Sequence, residues 1–355
     1  MLKVVGVLPR LSGGGAERVM LNLLGGLDSG QFTPSLVVFD AAGPLLPHVP
    51  AVLPVRNLER DRLRHSLASL LRVLREIQPD IVFSTLGYVS LALAACRMFF
   101  PGKLVIREAN MPSLSIPHAP YPMLTRYAYG WLYPKADLVI ASSDRMAGEI
   151  SALGVAAHRL ATLANPVDIP SLRARAQSPL RRPGPGLRLI AAGRLTYQKG
   201  FDRLIPLLAG IPDLDLTVLG EGPQRGNLEA LAARHGVRVY FPGFVDESAA
   251  WFAGADAFVL PSRWEGMPNV ALEALACGTK VISVPEAGGI AEVAAAAVEG
   301  AVTIAEAGPA FVSAVKTLRP HSGSHLRPSL LPDEHDLAHV RRTFGDLLVS
   351  LTRSK

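Results

Sequence analysis

Cysteine is nearly absent from this chain of 355 residues: Cys96 and Cys277 are the only two, each inside an apolar helix-like segment and neither in a short paired motif. That argues against a disulfide framework, a zinc site or thiol redox chemistry, and both read as small core hydrophobes. Long apolar runs are missing as well. The best window, 86–100, is too short to cross a bilayer and is interrupted by Arg97. Aromatics make up 6% and charged residues 19%, and no recognition-helix, finger or aromatic RNA-binding pattern accompanies the basic residues, so nucleic acid is not an expected partner. Met1 leads straight into a strand-like run, without a basic start or cleavage site, and the expected compartment is the cytoplasm.

What is present is apolar residue in quantity, 49% of the chain, at a length that suits two open-sheet domains. The net charge of +6 is uneven: residues 1–175 hold 18 Lys/Arg against 12 Asp/Glu, and the remainder balances at 18 against 18. An anionic membrane surface or a phosphorylated ligand is the expected counterpart of that excess.

Short Val/Ile/Leu runs followed by helix-length segments recur at 4–8, 35–39, 81–84, 103–107 and 138–141, then restart at 187–192, 214–219, 237–240, 257–260 and 280–284. This alternation predicts α/β organisation with parallel sheets, whose ligands sit beyond the carboxyl ends of the strands. Residues 177–186, QSPLRRPGPG, have linker composition and divide an expected first domain, 1–176, from a second, 187–332. Residues 320–332 read as a loop, and 333–351 as a helix able to pack back on the first domain.

Three post-strand loops carry candidate chemistry. Gly13, Gly14 and Gly15 precede a helix with an apolar stripe at Val19, Met20, Leu23, Leu24 and Leu27; either a tight turn or an anion seat at the helix start accounts for them. In AAGRLTYQKG, Gly193 permits close approach while Arg194 and Lys199 supply a planar fork and a point charge, suited to a diphosphate, unless this is a solvated basic loop. In WEGMPNVALEALACG, Glu265 precedes a loop of Gly266, Met267, Pro268 and Asn269 that leads into a helix. Pro268 is expected in the first helical turn, the amides of 266–270 face a phosphate or sugar, and Glu273 lies one turn inside, within reach of ribose hydroxyls. Two glutamates at this interval are otherwise common on exposed helix faces.

Taken in order, GGAER (Gly14–Arg18), GRLTYQKG (Gly193–Gly200) and EGMPNVALEALACG (Glu265–Gly278) resemble glycosyltransferase family 4, over nearly the whole chain; GEGPQRGNLE from Gly220 and FPGFV from Phe241 add to the likeness. The resemblance implies the GT-B fold: two Rossmann-like, doubly wound parallel-sheet domains facing a cleft, the first binding acceptor and the second the nucleotide sugar. It implies a retaining transfer without metal or other cofactor, in which Arg194 and Lys199 hold the diphosphate, Glu273 the ribose and Glu265 the donor sugar. Gly14, Gly15, Gly193, Glu221, Gly243, Phe244, Gly266, Met267, Pro268, Asn269 and Val270 would line the nucleotide. Where many members carry a histidine near the acceptor, this chain has IREANMPS, so Glu108 is a candidate catalytic group, and Glu17, Arg107, Glu108 and Asn110 are candidates for the acceptor side, with capping after a strand as the structural alternative. The variant resembles a subgroup that moves N-acetylhexosamines or related hexoses from UDP-sugars to lipid-linked or glycan acceptors in bacterial surface-polysaccharide synthesis. Peripheral contact with the cytoplasmic membrane face is expected through 56–75, where arginines alternate with leucines, through Met98-Phe99-Phe100 and through the aromatic run 121–133. No oligomeric state follows from the sequence.

Rival readings are a sugar-nucleotide epimerase of the same architecture and a non-catalytic nucleotide-sugar-binding protein. Asp213-Leu-Asp215 has a metal-binding form but precedes a buried strand, and His321 and His325 lack partner ligands, so no metal is expected. Gly220-Glu-Gly222 lacks the spacing of a nicotinamide site.

Overall fold

A computed structural model describes residues 1–60, 62–182, 186–321, 323 and 325–353. The chain divides into two units, Met1–Pro166 with Glu334–Lys355, and Val167–Asp333.

The first unit holds a seven-stranded sheet of β1 (Leu2–Leu8), β2 (Phe32–Val38), β3 (Val55–Asn57), β4 (Ile81–Ser84), β5 (Lys103–Arg107), β6 (Leu138–Ala141) and β7 (Leu160–Thr162), in the order β3-β2-β1-β4-β5-β6-β7. Every pairing in it is parallel. Successive residues of one strand face opposite sides: Val5, Val7, Val82, Leu104, Ile106 and Val139 enter one core, while Val4, Leu8, Leu36, Ile81, Phe83, Val105 and Ile140 enter the other. Burial on both faces explains why these strands read as continuous apolar runs. The helix Gly15–Leu24 buries Val19, Met20, Leu23 and Leu24 in the second of these cores. The helix Leu337–Arg353 joins it there: Phe344 lies 5.0 Å from Phe83, ring to ring, and Arg341 Nε donates to Asn22 O at 2.7 Å.

The second unit holds β8 (Leu187–Ala192), β9 (Leu214–Leu219), β10 (Arg238–Gly243), β11 (Ala257–Leu260), β12 (Lys280–Ser283) and β13 (Val302–Ile304), again all parallel, in the order β10-β9-β8-β11-β12-β13. The chain reverses its direction of strand addition between β8 and β11, as it does between β1 and β4. In such sheets the crevice for a ligand opens beyond the carboxyl ends of the two strands flanking the reversal.

The structure differs from the sequence expectations at several places. β3, β7 and β13 were not expected: each has only three residues at a sheet edge, none of them buried, so it lacks an apolar run. β2 begins three residues early and includes Pro34, which lies beyond the reach of β3 and so leaves no ladder bond unmade on that side. Cys277 is buried, but Cys96 is only partly so. The contact boundary falls between Pro166 and Val167, ahead of the expected linker. The reason is the helix Ile169–Arg175, which packs Leu172 into the second core while Arg173 donates to Ala276 O and Arg327 O, at 3.0 Å each. Residues 183–185 of that linker lie outside the described residues. The 320–332 segment is tied down too: Arg327 donates to Ala255 O and Thr279 Oγ1, and Leu330 N to Leu275 O.

Candidate functional site: a stitched loop pair beyond the second sheet

The segment after β8 (193–200) and the segment after β11 (261–268) flank the strand reversal of the second unit, and side chains bind them together. Lys199 Nζ donates to Glu265 Oε1 at 2.6 Å, with Glu265 buried. Gln198 Nε2 donates to Trp264 O, and Arg263 N to Gln198 O. The Arg263 guanidinium donates to Tyr197 O, makes a two-pronged pair with Asp202 at 2.7 Å on both arms, and lies 3.7 Å over the Tyr197 ring. Its hydrogen bonds hold the Asp202 carboxyl below the usual aspartate range. From the helix Phe201–Leu208, Arg203 donates to Pro261 O and Ser262 O and pairs with Glu286 at 3.1 Å.

Close backbone approach completes the seat. Gly193, at φ +151°, lies so near the Lys199 stem that an added Cβ would come 3.0 Å from its Cε. Its N–H donates to Leu219 O, Leu195 N donates to Glu221 O, and Gly220 N donates to Gly243 O, so the ends of β8, β9 and β10 form one surface. On the other side Gly288, at φ +66°, approaches the carbonyls of Glu265 and Gly266, where any Cβ would collide with backbone, and Gly289 N donates to Gly266 O at 2.7 Å. The Gly288–Gly289 pair was passed over in the sequence, although a double glycine separated by three residues from the apolar run 280–284 and directly ahead of a helix (Ile290–Ala296) was there to be noticed.

Charge bookkeeping separates the cations. Lys199 and Glu265 neutralise each other, but an ammonium has three donors and only one is committed to the carboxylate. Arg194, in the same segment, is exposed and has no ion pair among the described residues, so it carries the net positive charge of this surface. The helix Asn269–Ala276 starts at the far end of the second segment, its first amides lacking intrahelical partners. Pro268 stands one place earlier than expected, at the N-cap, and Glu273 lies just over one turn in. Gly266, Met267 and Pro268 are buried beneath the Gly288–Gly289 turn, whereas Asn269, Val270 and Glu273 remain partly open. Glu221 and Phe244 are both exposed, and Glu221 pairs with Arg225 at 2.6 Å.

The candidates of the first unit have other surroundings. Arg107 and Glu108, at the end of β5, are both buried. Arg107 Nη2 donates to Asn165 Oδ1, and the Asn165 carbonyl contacts His335 Nδ1 at 3.3 Å. Burial lowers the Arg107 guanidinium to about 10. Glu108 Oε1 accepts from Ala109 N at 2.9 Å and Asn110 N at 3.1 Å, and Oε2 accepts from the Tyr133 hydroxyl. Tyr133 stacks on Tyr129 at 4.4 Å. Burial raises the Glu108 carboxyl against the opposing pull of these donors. With Oε1 on two backbone amides and Oε2 on a tyrosine, the Glu108 carboxylate clamps the 109–110 turn. Arg107 joins the strand end to the returning chain through Asn165. Tyr129 and Tyr133, read in the sequence only as part of the aromatic run 121–133, and Asn165 and His335, unremarked there, complete this cluster from segments far apart in the chain. Glu17 is buried with its carboxylate against Gly14, which puts negative charge where an anion seat had been one alternative for Gly14 and Gly15.

Among the described residues no group of three or more His, Cys, Asp or Glu is placed to hold a metal. Asp215 sits near the amino end of β9, opposite the site, and accepts from Arg238 at 2.7 Å.

Comparisons with known proteins agree with this architecture. Residues 13–170 match the model of Glycosyltransferase Family 4, and residues 173–319 match that of Glycosyl transferases group 1. The lipopolysaccharide core biosynthesis glycosyltransferase LpsE of Rhizobium meliloti is 33% identical over 165 residues, 46% of this chain and 47% of that protein. A Campylobacter jejuni enzyme, N-acetylgalactosamine-N,N'-diacetylbacillosaminyl-diphospho-undecaprenol 4-alpha-N-acetylgalactosaminyltransferase, is 26% identical over 227 residues, 62% of each chain. The chain spans about half the length of the first curated relatives it matches. HepE of Anabaena, solved in complex with UDP and glucose, shares the fold at a TM-score of 0.70 and 18% identity, covering 99% of this chain and 98% of that one. Two parallel sheets of Rossmann order, each with helices on both faces, define a protein of the GT-B fold. One model matches in each half, so residues 13–170 are similar to Glycosyltransferase Family 4 and residues 173–319 to Glycosyl transferases group 1, on a chain of the GT-B fold.

Proposed function

We propose that this chain is a retaining glycosyltransferase that takes a hexose or N-acetylhexosamine from a UDP-sugar and passes it to a lipid-linked or glycan acceptor in surface-polysaccharide synthesis. The observation that carries the donor half is the Lys199–Glu265 pair beside unpaired Arg194, at the strand reversal of the second sheet. Support for UDP comes from the ligand named for HepE, and for a lipid-linked or lipopolysaccharide acceptor from the names of the Campylobacter and Rhizobium relatives.

In this reading Arg194 and the two remaining protons of Lys199 face the diphosphate, and Glu273 accepts from the ribose hydroxyls. Glu265 holds Lys199 in place and lies next to the sugar. The bond from the anomeric carbon to the diphosphate oxygen breaks as the acceptor oxygen bonds to the same face. The acceptor proton passes to the departing diphosphate, and the two cations offset its charge without a metal. The chain acts on the cytoplasmic side, where nucleotide sugars are made. Supply of UDP-N-acetylhexosamines and UDP-glucose, with and without polyprenyl-linked acceptor extract, tests the assignment. Acceptor-dependent release of UDP, lost in Lys199→Ala, is expected. Epimerised donor in the absence of acceptor would replace transfer with isomerisation.

A further inference from the structure

We infer, on the basis of the transfer proposed above, that the Tyr197 ring is a stacking platform for the sugar ring of the acceptor. Tyr197 opens the turn Tyr197–Lys199 and is 52% exposed. Its backbone and ring are nevertheless fixed. The Tyr197 carbonyl accepts from Gly200 N at 3.2 Å and from Arg263 Nη1 at 2.6 Å, and the same guanidinium lies 3.7 Å over the ring. Asp202 holds that guanidinium in turn, each of its oxygens accepting at 2.7 Å. The partly buried Trp264 ring stands 6.2 Å away, tilted by 53°.

A ring fixed through its own carbonyl and through a clamped cation on one face, yet half open to solvent, is ordered before any ligand arrives. Such order removes part of the entropic cost of binding. The outward C–H groups of a pyranose carry slight positive charge and lie flat against the negative face of an aromatic ring. A sugar is therefore the ligand class that this surface suits.

Position decides which sugar. In the proposed reaction the acceptor oxygen reaches the anomeric carbon on the face from which the diphosphate departs, so the acceptor's ring has to lie beside the cations that hold the diphosphate. Tyr197 falls between Arg194 and Lys199 in one short segment. The transferred sugar and the ribose already have partners in that reading, Glu265 and Glu273. The base fits poorly here as well. Tyr197 is turned to the segment after β11, whose Arg263 covers it, whereas the exposed Glu221 and Phe244 stand beyond β9 and β10, on the other flank of β8.

Comparison of full-length wild type with Tyr197→Ala and Tyr197→Phe decides the matter. UDP release is followed against increasing polyprenyl-linked acceptor extract at fixed UDP-sugar, and UDP binding is titrated by calorimetry. Tyr197→Ala should raise the extract concentration for half-maximal rate at least about fivefold. Its UDP dissociation constant should stay within about twofold, because the bonds of Arg263 to the 197 carbonyl and to Asp202 survive. Tyr197→Phe keeps the ring face and should restore acceptor dependence to near wild type. If Tyr197→Ala unfolds early, Tyr197→Leu, with apolar bulk but no flat face, takes its place. An unshifted half-maximal concentration in Tyr197→Ala, a parallel loss of UDP affinity, or a phenylalanine variant as impaired as the alanine one would each overturn the assignment. Absence of acceptor-dependent release in wild type is the separate failure of the proposed function. In that case saturation-transfer NMR with methyl glycosides of glucose and N-acetylglucosamine on the UDP-bound chain reads the platform alone: signal on the sugar C–H face, lost in Tyr197→Ala, upholds the stacking, and equal signal from both proteins overturns it.

Discussion

Each unit places a cation and a carboxylate just beyond a buried parallel strand, and the two arrangements have opposite character. In the second unit Lys199 and Glu265 come from different post-strand segments across the strand reversal, and donor capacity is left over on Lys199 and on Arg194. In the first, Arg107 and Glu108 are neighbours on one strand end; the carboxylate is saturated by two backbone amides and a tyrosine, and the guanidinium is sealed under the returning chain. Identity and position after a strand are shared. What separates a binding site from a structural clamp is unspent hydrogen-bonding capacity facing outward.

Substitutions that exchange these characters give the largest expected effects. Lys199→Ala should lower UDP release by at least about a hundredfold, and should also lower the melting temperature because Glu265 is left buried without its counter-ion; Arg194→Ala, which breaks no ion pair among the described residues, should lower UDP release with little change in melting temperature. Glu108→Ala should do the reverse. Removing the carboxylate strands two amides and a buried hydroxyl, at about 3 kcal/mol in all, measured by denaturant unfolding, while UDP affinity of the second unit persists.

The pH dependence sharpens the contrast. Burial raises the Glu108 carboxyl above its unfolded value, so the folded state holds this proton more tightly. The group's contribution to stability is therefore full below the unfolded value, near 4.5, and is lost as pH rises through the folded one. The stability difference between wild type and Glu108→Gln should shrink or change sign over that rise, read from unfolding curves at several pH values.

Two smaller effects concern the seat of Lys199. Gly193→Ala puts a methyl group against the lysine stem in a backbone region that favours glycine, and turnover should fall roughly tenfold with the fold intact. Asp202→Asn loosens the Arg263 clamp and should raise the donor KM about threefold while kcat stays near wild type.

Much of this was legible in the sequence because buried parallel strands announce themselves as apolar runs. β4, β5, β6, β8, β9 and β11 have the expected bounds, and the glycine, arginine, lysine and glutamate residues beyond them lie where the alternation put them. The edge strands β3, β7 and β13 were illegible for the opposite reason: three residues, none of them buried, carry no pattern. The roles of Arg107 and Glu108 were not legible either, since their partners Asn165 and Tyr133 come from segments 58 and 25 residues away, and Asn165 in turn meets His335, 170 residues further on. The same limit hid the Arg203 and Arg263 stitches, which become apparent only when two loops meet.

The most direct test of the donor site is calorimetric titration of UDP into wild type, Arg194→Ala and Lys199→Ala. Binding to wild type, weakened at least about tenfold in each variant while each remains folded at the titration temperature, is the predicted result. Equal binding by all three proteins would contradict the placement of the nucleotide at this loop pair.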